Sequence, residues 1–307
     1  MPDDSAVEDR YTTVNGVRLH YLDWGGAGEP LLFLPGNREP ASVFKWFAQR
    51  FFPQFRPLAL TRRGMGKSES PDGPYTIDQL VEDIRSFLDA IHVPRVSLVG
   101  HSLGGAEATF FAAKYPDRVR KLVSLEGCFI DREIDALIKE DPCGPGGPTS
   151  TPKEALGSVE AYLAYIRRTY AFVDRIWSPA AREACIADLR IDESGKVEEI
   201  DRGRAMSLPI QSMRDRDFDF GQVTVPMLVI AAIETRHPNV ALDAPPDMQR
   251  RANEFQARLV ETKRGILRRI KREKPDVVVV EIAGAAHHCY ITHEEVTHTL
   301  FNEFLTE

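Results

Sequence analysis

One serine in this chain has neighbours whose types and spacing could make it a nucleophile. Gly100-His101-Ser102-Leu103-Gly104 fits the pattern G-x-S-x-G, between the apolar run Val96–Val99 and a helical stretch from Ala106 to Lys114. The pentapeptide alone is weak, because Gly and Ser are common; the strand before it and the helix after it give it meaning. A sharp strand-to-helix turn strains the serine backbone and exposes the hydroxyl. Cβ atoms at Gly100 and Gly104 would collide with the neighbouring strand and helix. The dipole of the following helix favours negative charge near its start. The chemistry of such a serine is acyl transfer; the bland alternative is a glycine-rich turn without catalysis.

The elements that must position this serine follow from the hydrophobic pattern. Short apolar runs alternate with helical patterns, which predicts a mostly parallel sheet with helices on both faces. Tyr11–Val14 and Val17–Trp24 alternate around Asn15-Gly16, a hairpin signal. Further strands are expected at Leu31–Leu34, Pro57–Leu60, Val96–Val99, Val119–Leu125, Pro226–Ala232 and Asp276–Ile282. Helices are expected at Ala41–Phe52, at Asp78–Ile91 with Leu80, Ile84, Phe87, Leu88 and Ile91 on one face, and at Glu294–Leu305. A basic stretch places Phe255, Leu259, Ile266 and Ile270 at helical spacing. Between about residues 130 and 219 the alternation breaks. Asp141–Pro152 reads as a loop rich in Pro and Gly, and Val159–Val173 and Ala180–Leu189 read as helices with no strand between them.

Four segments of this pattern resemble the α/β-hydrolase family. Leu31-Leu-Phe-Leu-Pro-Gly-Asn37 is similar to the strand and oxyanion loop, with Pro35 where the family usually has His. Arg62-Arg63-Gly64-Met65-Gly66-Lys67-Ser68 resembles the R-G-x-G-x-S turn after the next strand. Ser102 matches the nucleophile, and Ile282-Ala-Gly-Ala-Ala-His287 resembles the last strand and its histidine loop. The resemblance covers nearly the whole chain outside the inserted block. It implies an α/β-hydrolase fold with a mostly parallel eight-stranded sheet flanked by helices. It also implies one core, residues 1–129 and 220–307, interrupted between strands 6 and 7 by a helical cap, residues 130–219.

A serine hydroxyl needs a base within hydrogen-bond reach. His287 follows the final strand and so emerges on the same carboxyl edge of the sheet as Ser102. His288 is adjacent but points elsewhere, and His101 packs beside the nucleophile. His293 and His298 lie near or on the closing helix, and His20, His92 and His237 carry no comparable partner signal. A tetrahedral oxyanion needs two fixed N–H donors. The residue after the nucleophile, Leu103, supplies one, and Asn37 on the loop after the Leu31 strand the other. The Asn37 side chain either adds a donor or only forms the turn.

The third residue of a triad orients the imidazole. The family usually places an Asp after the penultimate strand, in a pattern like V-P-x-L-x-I-x-G-x-x-D. Here Ala232 holds the glycine position and Thr235 the aspartate position, with Glu234 one residue early. The family's other location is the end of the strand after the nucleophile helix, where Glu126 stands. Glu126 is favoured, with Glu234 as the alternative acid.

Composition excludes several other classes. The chain has 307 residues, 39 Lys+Arg against 46 Asp+Glu and 43% hydrophobic residues, so wholesale disorder is excluded and a general nucleic-acid binder disfavoured. Four Cys without a C-x-x-C pair argue against a disulfide scaffold and a thiolate metal site. No run approaches the roughly 18 apolar residues of a membrane span, and Met1–Ser5 has no secretory character, so a cytoplasmic protein is expected. From Arg250 to Lys274 there are ten basic and three acidic residues, which leaves the remainder at −14. A solvated amphipathic helix is the favoured reading, though such a helix could also dock a second subunit in a homodimer.

The expected activity is a serine esterase or lactonase that needs no cofactor or metal, with a small ester or lactone as its partner and no nucleic-acid or membrane partner. A C–C hydrolase or cofactor-free perhydrolase with the same triad, and a hydrolase-like ligand receptor, are the alternatives. Cap aromatics Tyr162, Tyr165, Tyr170, Phe172 and Trp177 either pack the cap or line its pocket.

Overall fold

The computed structural model describes residues 7–307 except 130, 144–150, 170–172, 174, 188, 215, 217 and 241–243, and except the side chain of residue 180. In chain order the strands are β1 (Glu8–Val14), β2 (Val17–Asp23), β3 (Glu29–Leu34), β4 (Phe55–Leu60), β5 (Val96–His101), β6 (Val119–Leu125), β7 (Leu189–Ile191), β8 (Val197–Glu199), β9 (Met227–Ile233) and β10 (Val278–Ala283). The described helices are α1 (Lys45–Gln49), α2 (Ile77–Ala90), α3 (Leu103–Lys114), α4 (Arg132–Ile138), α5 (Val159–Thr169), α6 (Pro179–Ile186), α7 (Gly203–Arg214), α8 (Pro246–Glu273), α9 (Cys289–Thr292) and α10 (Glu294–Thr306).

Eight strands form one sheet in the order β1-β2-β4-β3-β5-β6-β9-β10. The β1–β2 and β2–β4 pairings are antiparallel and the rest parallel. The parallel strands are buried on both faces, so their side chains divide by the two-residue period of a strand. Leu32, Leu34, Val96, Leu98 and Leu122 join one core cluster with Phe87 of α2, Phe111 of α3 and Ile270 of α8. Leu31, Phe33, Val99, Val123 and Leu125 join the other, with Phe47 of α1 and Phe301 of α10.

The order also locates a crevice. From β3 the chain turns to β4 on one side, and β5 then pairs on the other side of β3. Loops after strands that diverge in this way leave a groove at their carboxyl ends. The loop from Pro35 and the turn at Ser102 flank it.

Two local expectations are corrected. Ala41–Phe52 is not one helix but a 3-10 turn, Ala41–Phe44, followed by the short α1. Phe44, Phe47 and Phe51 still converge, on Phe33 and Phe301. The block between β6 and β9 is not free of strands either. Helix α6 ends at Ile186, and β7 pairs with β8 across a turn in which Asp192 Oδ1 accepts from the backbone N–H of Ser194 and Lys196. Asp192-Glu-Ser-Gly195 was the signal for that hairpin, with Gly195 at φ +82°. Tyr170 and Phe172, Gly144 to Gly147 and the segment Met1–Ser5 lie outside the described residues. No described helix is long and apolar enough to cross a membrane.

Candidate active site

The turn at Ser102 has the strain its sequence predicts. Ser102 sits at φ +51° and ψ −121° between β5 and α3. A Cβ on Gly100 would lie 2.2 Å from the Gly104 carbonyl oxygen, and one on Gly104 would lie 2.1 Å from that of Leu34. Backbone from β3, β5 and α3 therefore meets here at distances only glycine permits.

His287 lies beyond β10, and its Nδ1 is 3.0 Å from Glu126 Oε2. Carboxylate oxygens only accept, so Nδ1 carries the proton and Nε2 keeps its lone pair. Glu126 ends β6 in a left-handed conformation, φ +55°, with its side chain 1% exposed. Its other oxygen, Oε1, accepts from the Ala232 amide at 2.7 Å. Lys263 of α8 donates to Oε2 at 2.6 Å. Burial opposes the Glu126 charge, but the Lys263 ammonium and the His287 hydrogen bond overcome that and hold the carboxyl at about 2.

His287 is pulled down to about 4, by desolvation first, against the Glu126 bond that favours its charged form. Its side chain is 48% exposed, but it lines a cavity whose walls replace bulk water on that side. Neighbouring imidazoles act in the same direction. His101 and His288 have ring centres 4.7 and 5.5 Å from that of His287.

Glu234, at the end of β9, does not reach this histidine. Its carboxylate pairs with Arg175, while its carbonyl accepts from Gln256 at 2.7 Å. A second carboxylate–histidine group, not anticipated from sequence, lies beside the first. Glu39 Oε1 is 2.6 Å from His288 Nε2, and Oε2 is 3.2 Å from His101 Nδ1. His101 Nε2 donates to the His287 carbonyl at 3.0 Å, which ties the two groups together. Burial opposes the Glu39 charge, and the two imidazoles hold the carboxyl well below the usual range. Glu39, His101 and His288 are also one of two described groups whose atoms lie close enough to share a metal ion. The other is Asp141, Cys143 and His237, where the acid lies 3.2 Å from Nε2 of the ring and the thiol 3.6 Å from Nδ1.

Leu103 begins α3, so its N–H has no partner inside the helix. The Asn37 N–H is likewise unengaged among the described residues. The Asn37 side chain turns away: Nδ2 donates to the Met206 carbonyl at 3.3 Å. The loop carrying Asn37 is gripped by Arg62, which sequence reasoning noted only as part of a turn. Arg62 is buried, donates to Glu107 at 2.7 Å and to the Gly36 carbonyl at 2.5 Å, and also holds the Pro35 carbonyl. Fixing those carbonyls fixes the direction of the peptide N–H groups that follow them.

Ser102, His287 and Asn37 line one cavity of about 440 Å³. Tyr162, Ile166, Ile176 and Ala184, from the block between β6 and β9, form an apolar wall. Arg38 and Glu199 are charged groups on the same lining. Of the other aromatics there, Tyr165 is buried, and Trp177 packs with Tyr162 and Leu163.

Known proteins share this architecture. The family model described as alpha/beta hydrolase fold matches residues 29–173. A 2-(acetamidomethylene)succinate hydrolase of Mesorhizobium japonicum is 27% identical over 284 residues, 91% of this chain and 89% of that protein. A bifunctional esterase/perhydrolase of Acinetobacter calcoaceticus is 31% identical over 156 residues, 50% of this chain and 53% of that one. The crystal structure of an E-2-(acetamidomethylene)succinate hydrolase matches with a TM-score of 0.74 at 23% identity, over 98% of this chain and 100% of that one.

Proposed function

This chain belongs to the α/β-hydrolase fold superfamily, and we propose that within it the protein is a serine hydrolase of small carboxylic esters or lactones. The observation that carries the reading is the 3.0 Å contact between His287 Nδ1 and the buried Glu126, with Ser102 on the same cavity lining. His287 Nε2 takes the Ser102 proton as the oxygen attacks the carbonyl carbon. The Leu103 and Asn37 amides receive the oxyanion. On collapse of the tetrahedral intermediate, His287 returns the proton to the leaving oxygen. A water, deprotonated by the same ring, then cleaves the acyl-enzyme and regenerates Ser102. Residues 130–219 act as the cap that closes the acyl and alcohol pockets.

The full-length relative favours a second reading. Its name describes an acetamide bearing two carboxylates. The same groups could cleave an amide, with His287 protonating the leaving nitrogen. Arg38, which has no ion-pair partner among the described residues, suits a substrate carboxylate at the cavity.

Fluorophosphonate labelling and turnover of a short-chain chromogenic ester test the first reading. Labelling that disappears in Ser102→Ala is expected, and wild-type protein that neither labels nor turns over any ester overturns it. A panel of esters, lactones, diketones and carboxylate-bearing amides separates the bond types. An amide preference that is lost in Arg38→Gln selects the second reading.

A further inference from the structure

Lys263 stands in the middle of α8, the helix that carries the basic run. Its Nζ donates at 2.6 Å to Glu126 Oε2, the oxygen that also accepts from His287 Nδ1. The ammonium also reaches the Ala232 carbonyl at 3.3 Å and lies 5.0 Å from the Phe129 ring centre. Ala232 serves both partners, since its N–H donates to Glu126 Oε1. With side-chain exposures of 14% for Lys263 and 1% for Glu126, little water screens this pair.

We propose that Lys263 is a positioning residue of the triad: its ammonium fixes Glu126 as a carboxylate against His287 Nδ1 and shares that carboxylate's charge with the imidazole. This rests on reading Ser102, His287 and Glu126 as the triad. A carboxylate that faces only an imidazole stabilises the imidazolium and makes the ring more basic. A second cation on the same oxygen offsets that stabilisation and repels the imidazolium across it.

The other titratable groups around His287 and Glu126 are His101 from the end of β5, His288, Cys289 and Tyr290 just after His287, Glu39 behind the two rings and Cys128 after β6. Arg38 and Glu199 lie further along the cavity lining. None of them is altered by a change at position 263. Removing the ammonium acts in one direction by two routes. His287 becomes easier to protonate because the full Glu126 charge faces it, and Glu126 becomes easier to protonate because its cation is gone. Either route moves the loss of activity in acid to higher pH.

The test follows the His287 ring by NMR in protein labelled at histidine Cε1, with His287→Gln assigning the signal. Wild-type His287 is expected to titrate well below the ordinary histidine value of about 6.5. Lys263→Met is expected to raise its midpoint by about one pH unit, and Lys263→Arg to restore it. The acid limb of kcat/KM on the chromogenic ester moves with it. An unchanged His287 titration in Lys263→Met overturns the proposal. Should that variant not fold, Lys263→Gln, which keeps an N–H donor without the charge, replaces it. Failure of fluorophosphonate to label Ser102 strikes the serine-hydrolase reading instead, while the titration still decides the role of Lys263.

Discussion

Two glutamates end two neighbouring parallel strands on the same edge of the sheet, and they meet opposite surroundings. Glu126 follows β6 and Glu234 follows β9, and the two strands are paired. Glu126 turns inward at φ +55°, is 1% exposed at its side chain, and has both oxygens occupied by Ala232, Lys263 and His287. Glu234 is 11% exposed at its side chain and pairs with Arg175, itself 44% exposed. Strand-end position is therefore not enough to make a carboxylate part of a site. The backbone turn after the strand, and the cation and amide that neutralise the charge, decide what the carboxylate can orient. The end of β9 contributes to the histidine's acid after all, but through the Ala232 backbone rather than through its own glutamate.

The sharpest break in this comparison would come from kinetics. Glu126→Gln should lower kcat on the order of 10³–10⁴-fold, because the amide no longer holds the imidazole in the right tautomer or stabilises its cation. Glu234→Gln should stay within roughly threefold of wild type, since its carboxylate has no link to the ring. The reverse ranking, measured on the same ester, would move the acid to β9.

Stability should follow the same order with smaller contrast. Glu126→Gln leaves the Lys263 ammonium without its counter-charge and should cost roughly 3 kcal/mol in denaturant unfolding at neutral pH. Glu234→Gln breaks a half-exposed pair and should cost about 1 kcal/mol or less. The pH dependence has a definite sign. The carboxyl of Glu126 is lowered from 4.5 to about 2 on folding, so its stabilisation is present above about 4.5 and is lost as the pH falls toward 2. His287 is lowered from 6.5 to about 4, so protonation favours the unfolded chain through that interval as the pH falls. Wild-type stability should therefore decline from about pH 6.5 downward. The gap between wild type and Glu126→Gln should narrow in acid, and a gap that widens would contradict the charged clamp.

The smallest effect sharpens the comparison from the other side. Arg175→Gln should leave kcat within about twofold and cost about 1 kcal/mol of stability, because water reaches the half-exposed guanidinium although the carboxylate it faces is largely buried. A large loss of activity there would mean that Glu234 and Arg175 act on the cavity after all.

Legibility differed between the parts of this site. Ser102 was readable because G-x-S-x-G between an apolar strand and a helix is a local pattern. The steric reason is local at Gly100, whose Cβ would meet Gly104 and Gly105, and tertiary at Gly104, whose Cβ would meet Leu34 and Pro35 on the neighbouring strand and loop. His287 was readable from its place after the last strand. The Glu39–His288–His101 group was not, because its members are distant in sequence and meet only when β3, β5 and the loop after β10 align. Arg62 was visible as part of a turn, but its grip on the Pro35 and Gly36 carbonyls depends on the fold. In the block between β6 and β9, the turn at Asp192–Gly195 joins strands of only three residues each, too short for a two-residue alternation to stand out in sequence.

By itself, then, the sequence determined the alternation of strands and helices, the strained serine turn and the histidine loop, because each rests on short-range periodicity or on glycine at a fixed spacing. Only the tertiary structure shows which of Glu126 and Glu234 faces His287, since both lie one residue beyond paired strands. It also shows what one residue of the basic run meets. Ten basic residues between Arg250 and Lys274 read as a solvated face. Most of those with described partners do make surface pairs, such as Arg264 with Glu281 and Arg268 with Glu261. Lys263 alone among those pairs reaches the buried acid. Charge pattern fixes which face of a helix is polar, but which polar residue meets a buried carboxylate depends on where the helix lies across the sheet.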